Sequence, residues 1–498
     1  GAHPLNGADV AFRWSWLAEQ MLQFGSLDFY PPRSGEDFVR YFWAESIPPG
    51  VAGLYAWAYA CGGNSHALWT SPVVALQLLA VHELVWRLAS RWGGEVVARR
   101  AALLAAACPL LTWAVLLGQE TGLSALAVTG MVWSLAHLRD ENGHRWAVLA
   151  GAFGIVAAST REYGMIFPVA AVTATVWLQA PRSQSWVLAA VALPVAFAWP
   201  LRVWLLTGNP FYSLNLAGLF ATNPIFTAWN DTLRGPASEA LASTESWLSL
   251  ARYLALWALP ALAGLIALVF LLVQRLREAR PVGLFVGLVI ALWFVSVAYT
   301  AGGLFYSLRV LSPAFALLVV VAAYGMGSWV QHPAGAKFLT VAIGLLLLES
   351  LPKTLVLPEN PYRIGPLEWP RAAARFPDEV REVNEALLAR IQPLPDRRRL
   401  LSDHAGLPRV LAPIGTEVAP LWSPEVAWLF DGTLEPEVVA QRWRQSGLRY
   451  LVMGKTGATA GFMQKYARWR APYFKLKPVA ETGTHVILEA TVADGPAP

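Results

Sequence analysis

The sequence predicts an α-helical polytopic membrane protein that ends in a small α/β domain. Of the 498 residues, 56% are hydrophobic and only 14% are charged, whereas an average soluble protein has about 25% charged residues. Apolar windows of about 20 residues, the length of a helix that crosses a bilayer, recur between short polar breaks. Of the 38 basic and 33 acidic residues, 34 lie in residues 358–498. The charge distribution therefore separates a membrane body from a soluble C-terminal domain.

Ten apolar windows predict transmembrane helices. Their approximate bounds are 67–86, 99–117, 121–138, 145–160, 163–180, 185–207, 253–273, 282–302, 311–330 and 337–357. Together they define a transmembrane domain over 67–357.

Basic residues predict the orientation of these helices. Arginines and Lys337 concentrate in alternate breaks, which marks that side as cytoplasmic. These breaks are 87–100, 139–145, 181–184, 274–280 and 331–337. The remaining breaks, including the long segment 208–252, then face outward, as do both ends of the chain. A chain whose first segment lies outside the cytoplasm needs an earlier helix that crosses the membrane. We therefore expect one further N-terminal helix before residue 1.

The segments outside the membrane have distinct patterns. Residues 1–66 form the first outward segment, in which VAFRWSWLAEQMLQFG predicts a helix at the membrane interface that ends at Gly25. Prolines over 358–377 predict an extended linker. Residues 378–498 are predicted as an extracytoplasmic α/β domain. Its elements are a helix over 378–391 and strands over 398–403, 448–453 and 485–492.

Composition excludes several classes of function. A net charge of +5, with basic residues in short scattered groups, argues against nucleic-acid binding. Two cysteines, Cys61 and Cys108, exclude a disulfide framework and a four-thiolate metal site. Aromatic residues are dense in the first outward segment, where they favour an interfacial belt over a surface that stacks on sugars. They include Trp14, Trp16, Phe29, Tyr30, Tyr41, Phe42 and Trp43.

Ionisable residues gather at the outward ends of the predicted helices. They are Asp9, Glu120, Arg161, Glu162 and Arg309. Such residues are costly beside a membrane and need a partner, water or a function. A carboxylate can take a proton from a hydroxyl, while guanidiniums hold a phosphate and neutralise its charge. This combination suits a sugar carried on a polyprenyl phosphate, whose tail lies in lipid.

The same stretches resemble the GT-C superfamily of polytopic glycosyltransferases, in particular the branch with protein O-mannosyltransferases and the lipid A aminoarabinose transferase. The resemblance covers essentially the whole chain and rests on loop positions and hydropathy. The motifs are GADVAFRWSWLAEQMLQFG, ESIPPGVAGLYAWAYACGG, GQETGLSAL, AASTREYGMIFP, GNPFY and FYSLRVLSP, followed by a tail with LLSDHAG and SGLRYLVMGK.

The resemblance implies a role for each site residue. Asp9 would be the general base or orient the acceptor, and Glu120 would shape the acceptor site or bind a divalent cation. Arg161 and Arg309 would hold the donor phosphate. Further substrate contacts would come from Glu162, Tyr163 and Tyr306.

The resemblance also implies partners, a location and a cofactor. The partners are a lipid-linked sugar donor, a glycan, lipid or protein acceptor, membrane lipids and, in some relatives, the subunits of a membrane complex. The location is a bacterial inner membrane with a periplasmic site. The cofactor would be Mg²⁺ or Mn²⁺. Asp9-Val10 stands where many relatives have Asp-Glu, and this weakens the argument for a metal.

Alternatives stay open at this point. Asp9 and Glu120 would also be favoured as residues at helix N-termini, and Arg161 with Glu162 would also fit a structural ion pair. Rival functions are a transporter or flippase for a lipid-linked glycan and a non-catalytic subunit with the same fold. A transporter predicts paired broken helices with charges at the membrane midplane, which the sequence does not show.

Overall fold

A computed structural model of the chain describes residues 10–65, 69–216, 218–231, 242–297, 303–327, 333–355, 385–386, 389, 398–411, 415–455, 473–483 and 485–492. Within these ranges the chain divides into two compact units. The first, the helical unit, comprises residues 1–10, 47–201 and 236–372. The second, the sheet unit, comprises residues 11–46, 202–235 and 373–498. Asp9, the linker 358–377 and most of the predicted helix 378–391 lie outside the described residues.

The helices follow the hydropathy pattern closely. In chain order they are α1 (Trp16–Phe24), α2 (Gly35–Arg40), α3 (Gly50–Gly62), α4 (Thr70–Ala106), α5 (Pro109–Leu116), α6 (Glu120–Ala136), α7 (Gly143–Ala158), α8 (Ile166–Trp177), α9 (Arg182–Thr207), α10 (Thr244–Trp257), α11 (Leu259–Val273), α12 (Ala279–Val297), α13 (Gly303–Ser307), α14 (Ser312–Gly325), α15 (Pro333–Leu355), α16 (Leu407–Leu411) and α17 (Pro436–Ser446). Each of the ten predicted windows contains a helix.

The described chain contains candidate membrane-spanning helices, as expected of an integral membrane protein. Four are long and apolar enough to cross a bilayer: α4, α9, α12 and the segment Leu304–Gly325. Two bent pairs add up to two more spans: α5 with α6, at 117°, and α10 with α11, at 102°. The number of ten spans stays a prediction.

The predicted window 99–117 is divided in the structure. Helix α4 continues from the preceding window through Gly93 and Gly94, whose backbone is not helical, and ends at Ala106. Helix α5 then begins at Pro109. A proline has no N–H for an interior helical hydrogen bond and suits the first helical turn, so Pro109 favours the start of a new helix at this point.

The core of the helical unit is formed by small and aliphatic side chains of α4, α6, α12 and α14. Twelve of the fourteen residues of α14 are buried, because this helix is surrounded by others rather than by lipid. Close approach needs small residues, which is general for helices packed within membranes. An added Cβ at Gly264 of α11 would lie 1.9 Å from the carbonyl oxygen of Leu318.

The sheet unit contains a five-stranded mixed sheet. Its strands are β1 (Arg398–Ser402), β2 (Thr416–Pro420), β3 (Leu448–Gly454), β4 (Phe474–Glu481) and β5 (His485–Val492). Their order is β2-β1-β3-β5-β4, with β1 parallel to β2 and β3, and β5 antiparallel to β3 and β4. The three predicted strands are therefore present, whereas β2 and β4 were not predicted.

Most of the aromatic residues named for the first outward segment are buried, so they contribute to neither an interfacial belt nor a sugar-stacking surface. Five of them are almost completely buried: Trp14, Phe29, Tyr30, Tyr41 and Phe42. Phe38 and Phe42 join the core of the sheet unit, together with Phe226 and Trp229 from the segment 208–252. Trp422 lies at the centre of this cluster, stacked on Trp43 at a centroid distance of 5.6 Å.

Candidate active site

Three of the predicted site residues meet in the helical unit. Nη1 of Arg309 lies 2.6 Å from Oε1 of Glu120. Arg161 reaches the same oxygen with Nε at 3.0 Å and Nη2 at 2.9 Å. The side chains of Glu120 and Arg309 are 1% and 5% exposed, and that of Arg161 is 19% exposed. We call Glu120, Arg161 and Arg309 the arginine clamp.

Glu120 is positioned by a sharp turn between α5 and α6. Gly118 has a φ of +66°, and a side chain would be strained in this left-handed region. The turn places Glu120 at the first position of α6, where the helix dipole favours a carboxylate. The hydroxyl of Tyr55 donates a hydrogen bond to the carbonyl of Gly118 and fixes the turn.

Arg161 follows the end of α7. The hydroxyl of Ser124 on α6 lies 2.8 Å from that of Thr160, and this contact ties the segment to the helix that carries Glu120. After the extended backbone of Arg161 the chain forms a 3-10 turn over Glu162–Met165. Gly164 allows this turn to pack on α7, since a Cβ there would lie 2.2 Å from the carbonyl oxygen of Ala157.

Arg309 belongs to a 3-10 turn, Leu308–Leu311, that leads into α14. The first residue of α14, Ser312, donates from its hydroxyl to the carbonyl oxygen of Thr121 at 3.0 Å. The starts of α6 and α14 are thereby joined, and Arg309 is held beside Glu120. The guanidinium also lies over the ring of Tyr306, with Cζ 4.4 Å from the centroid. Such a contact stabilises a cation in a partly dry site.

The other predicted substrate contacts surround the clamp. The hydroxyl of Tyr306 lies 3.0 Å from Nε2 of Gln119, so the residue before Glu120 holds the ring beneath Arg309. Nη1 of Arg161 lies 3.9 Å from a carboxylate oxygen of Glu162. Sequence reasoning missed Gln119, although a polar residue next to Glu120 in an apolar stretch was a usable signal.

A small crevice of about 10 Å³, the space of a single water molecule, lies near the clamp. Its walls come from α6, α8, α12 and the start of α14. The lining includes Tyr163, Phe167, Val289, Leu292 and Val310. The crevice has no room for a hydrocarbon tail, and the two guanidiniums of the clamp suit an anionic group.

The expected divalent cation stays a prediction, although the surroundings of Glu120 oppose it. Glu120 is almost completely buried, and its Oε1 already accepts from two guanidiniums. A metal ion at this carboxylate would face two positive charges, and the resulting repulsion would oppose binding. Among the residues that the structure describes, no group of three or more His, Cys, Asp and Glu side chains is arranged to hold a metal ion.

Two solved membrane proteins have a fold similar to that of this chain. ArnT from Cupriavidus metallidurans in the apo state is similar to the chain at a TM-score of 0.51 and 16% identity, over 98% of this chain and 94% of that one. The oligosaccharyltransferase AglB from Archaeoglobus fulgidus, in complex with an inhibitory peptide and a dolichol-phosphate, gives a TM-score of 0.51 at 12% identity, over 95% and 70%.

The apo form of the Archaeoglobus fulgidus oligosaccharyltransferase gives a TM-score of 0.50 at 12% identity. The match covers 91% of this chain but 65% of the archaeal one, so the chain spans about two thirds of that protein's length. Comparison with protein-family models found no match, and neither did comparison with curated proteins. Both structural neighbours belong to the GT-C superfamily of membrane glycosyltransferases. The predicted resemblance to this superfamily is therefore confirmed at the level of the fold.

Proposed function

We propose that this chain, which has a GT-C fold, is a membrane glycosyltransferase that moves a sugar from a polyprenyl-phosphate donor to an acceptor at the outer face of the membrane. The observation that carries the proposal is the convergence of Arg161 and Arg309 on Glu120, from three separate segments. Two guanidiniums match the phosphate of such a donor.

The two guanidiniums would act on the leaving group. In a single inverting displacement, the acceptor oxygen bonds to the anomeric carbon while the bond from that carbon to the phosphate oxygen breaks. The phosphodiester of the donor carries one negative charge, and the departing polyprenyl phosphate gains a second one. Guanidiniums already in place stabilise this charge without reorganising, and such electrostatic stabilisation is usually a large part of enzymatic rate enhancement.

Glu120 would position the clamp rather than react. Without this carboxylate, two like charges would repel each other in a site of low dielectric constant. With it, Arg161 and Arg309 are held at one point even before the donor binds. Arg161 is the more exposed of the two, so its N–H donors are the first that a phosphate would reach.

Asp9 would be the general base that takes the proton of the acceptor hydroxyl or amine. This role comes from the resemblance, because Asp9 lies outside the described residues. No step of the proposed reaction uses a metal ion. The proposal includes a bacterial inner membrane as the location, a periplasmic site, and a glycan, lipid or protein as the acceptor.

A transporter for a lipid-linked glycan is the second candidate. Glu120 lies at the break of the bent pair α5 and α6, and Arg309 lies within the apolar segment Leu304–Gly325. Charges at a broken helix are a feature that a permeation path uses.

The test is sugar transfer by the purified full-length protein. We expect a panel of labelled polyprenyl-phosphate sugars to reveal a donor whose sugar is transferred and whose polyprenyl phosphate is released. We expect Asp9→Asn to abolish transfer while the protein still folds and still binds polyprenyl phosphate. Absence of transfer from every donor, with intact folding and assembly, would favour a non-catalytic subunit instead.

A further inference from the structure

A second cavity lies at the far end of the helices that carry the arginine clamp. Helices α6 and α14 begin at the clamp, and residues near their opposite ends, including Leu135 and Tyr324, line this cavity. A helix rises 1.5 Å per residue, so the two sites are separated by about 24 Å along α6. The cavity has a volume of about 430 Å³, within the usual range for small-ligand sites.

Three arginines line the cavity, with Glu278 as the acidic residue of the lining: Arg91 of α4, just before the kink at Gly93, and Arg139 and Arg277 from two interhelical breaks. The Nη2 atom of each arginine already donates a hydrogen bond to another residue of the protein. Arg91 pairs with Asp140 at 2.6 Å. Arg139 donates to the carbonyl oxygen of Gln179 at 3.3 Å. The lining therefore carries an excess of positive charge.

Arg277 donates to the carbonyl oxygen of Leu178 at 2.9 Å and to the side chain of Gln179. Arg139 and Arg277 thus both hold the C-terminal end of α8, where cations are favoured by the helix dipole. A guanidinium has five N–H donors, so these bonds leave donors for an anion. Capping of α8 accounts for Arg139 and Arg277, and the ion pair with Asp140 accounts for Arg91, but neither explains the cavity that the three arginines line.

The rest of the lining is apolar and aromatic. Val132, Leu135 and Leu276 form part of the wall. Trp92 packs edge-on against Tyr324 at a centroid distance of 5.6 Å, and both rings line the cavity. Trp and Tyr are the aromatic residues that favour the headgroup level of a membrane. Arginines beside apolar and aromatic walls match a ligand with an anionic head and a hydrocarbon tail.

We propose that this cavity binds the phosphodiester headgroup of an anionic membrane phospholipid from the leaflet opposite the clamp. The breaks that supply its arginines are those that the sequence predicts to be cytoplasmic. Basic pockets between transmembrane helices on that side are a general mode of anionic lipid recognition. Arg139 and Arg277 contact the phosphate, and the apolar wall accommodates the start of the acyl chains. The proposal does not depend on the catalytic function.

The test is native mass spectrometry of the full-length protein in neutral detergent, titrated with phosphatidylglycerol or with phosphatidylcholine of the same acyl chains. We expect tighter retention of phosphatidylglycerol. The double variant Arg139→Gln/Arg277→Gln should weaken it by a factor of roughly ten to thirty. The matched control, Arg275→Gln/Arg280→Gln, removes the same charge from exposed positions outside the lining and should leave retention unchanged.

An equal loss in both double variants would overturn the proposal, because it would show diffuse attraction to a basic surface. Full displacement of the lipid by millimolar inorganic phosphate would also overturn it, in favour of a soluble anion. If the double variant does not fold, photoactivatable phosphatidylglycerol can be crosslinked to the unaltered protein. Crosslinks in residues 132–139 or 276–281 support the site, and crosslinks confined to other segments contradict it.

Discussion

Arg309 donates to Oε1 of Glu120 at 2.6 Å, across 189 positions of sequence, with both side chains almost completely buried. Arg161 donates to the same oxygen. One carboxylate therefore holds two guanidiniums in a largely dry site. Removing one member of a buried charge network leaves an uncompensated charge, and this is far more costly than removing an exposed pair.

The variant Glu120→Gln tests the charge balance of the clamp. It preserves the shape of the side chain but leaves two guanidiniums without their carboxylate, so we expect a loss of about 3 to 5 kcal/mol in the free energy of unfolding. Thermal or denaturant unfolding in detergent measures it. The double variant Glu120→Gln/Arg309→Met removes one positive charge as well and should lose less than the sum of the single variants. Strict additivity would show that the residues are not coupled.

The hydroxyl of Ser312 is expected to set the position of Arg309. Ser312→Ala removes its bond to the carbonyl oxygen of Thr121, at a cost of about 1 kcal/mol in stability. We also expect weaker binding of polyprenyl phosphate, because Arg309 is no longer held beside α6. Ser350→Ala is the matched control, since its hydroxyl makes a bond of the same length, 3.0 Å, to the carbonyl oxygen of Ala107. Equal binding by the two variants would refute the positioning role.

Sequence alone predicted the helices well, because a membrane imposes a minimum length of apolar chain. It also selected Glu120, Arg161 and Arg309, since charges are rare beside apolar spans. It did not reveal that Glu120 accepts from both arginines. That relationship depends on how α6, α7 and α14 pack, and nothing in the local pattern specifies it.

The sheet unit was harder to predict. Phe38, Phe42 and Trp229 lie in outward segments, where aromatic residues commonly face the membrane interface. Their burial depends on contacts with strands far along the chain. Strand β4, which contains Lys475, Lys477 and Pro478, lacks the apolar alternation of a half-buried strand, and it pairs only with β5 in the described sheet. An edge strand often carries such residues.

Trp422 is expected to be the most sensitive residue of the sheet unit. Its Nε1 donates to the carbonyl oxygen of Phe42 at 2.6 Å, and its ring contacts Trp229 at 4.8 Å. Trp422→Ala should cost about 3 to 5 kcal/mol by leaving a cavity. Trp422→Phe retains part of the packing and should cost less. Hydrogen exchange would report the loss, with protection falling first in β1 and β3. Unchanged hydrogen exchange in both strands would contradict the central role of Trp422 in the core of the sheet unit.

The sheet unit should lose stability in mild acid through His404. Burial lowers the pKa of His404 from 6.5 to about 4, with a further contribution from His485, and Nδ1 accepts from the backbone N–H of Gly406 at 3.1 Å. Between these pKa values the unfolded chain binds a proton that the folded chain does not, so stability falls as the pH falls from 6.5 towards 4.

Unfolding measured at pH 7 and pH 5 in the native chain and in His404→Phe isolates this contribution. The native chain should lose more stability than the variant over that interval. An equal loss of stability in the native chain and in His404→Phe would show that His404 is protonated to the same extent in the folded and unfolded states.

Binding of polyprenyl phosphate to Arg161→Gln is the most direct test of the arginine clamp. In this variant Glu120 keeps its bond to Arg309, so the protein should fold. Equilibrium binding of labelled polyprenyl phosphate should weaken by roughly 10-fold to 100-fold relative to the native chain. Arg252→Gln, an exposed arginine on α10, should bind as the native chain does. Native affinity in Arg161→Gln, or an equal loss in both variants, would contradict a donor phosphate held by the clamp.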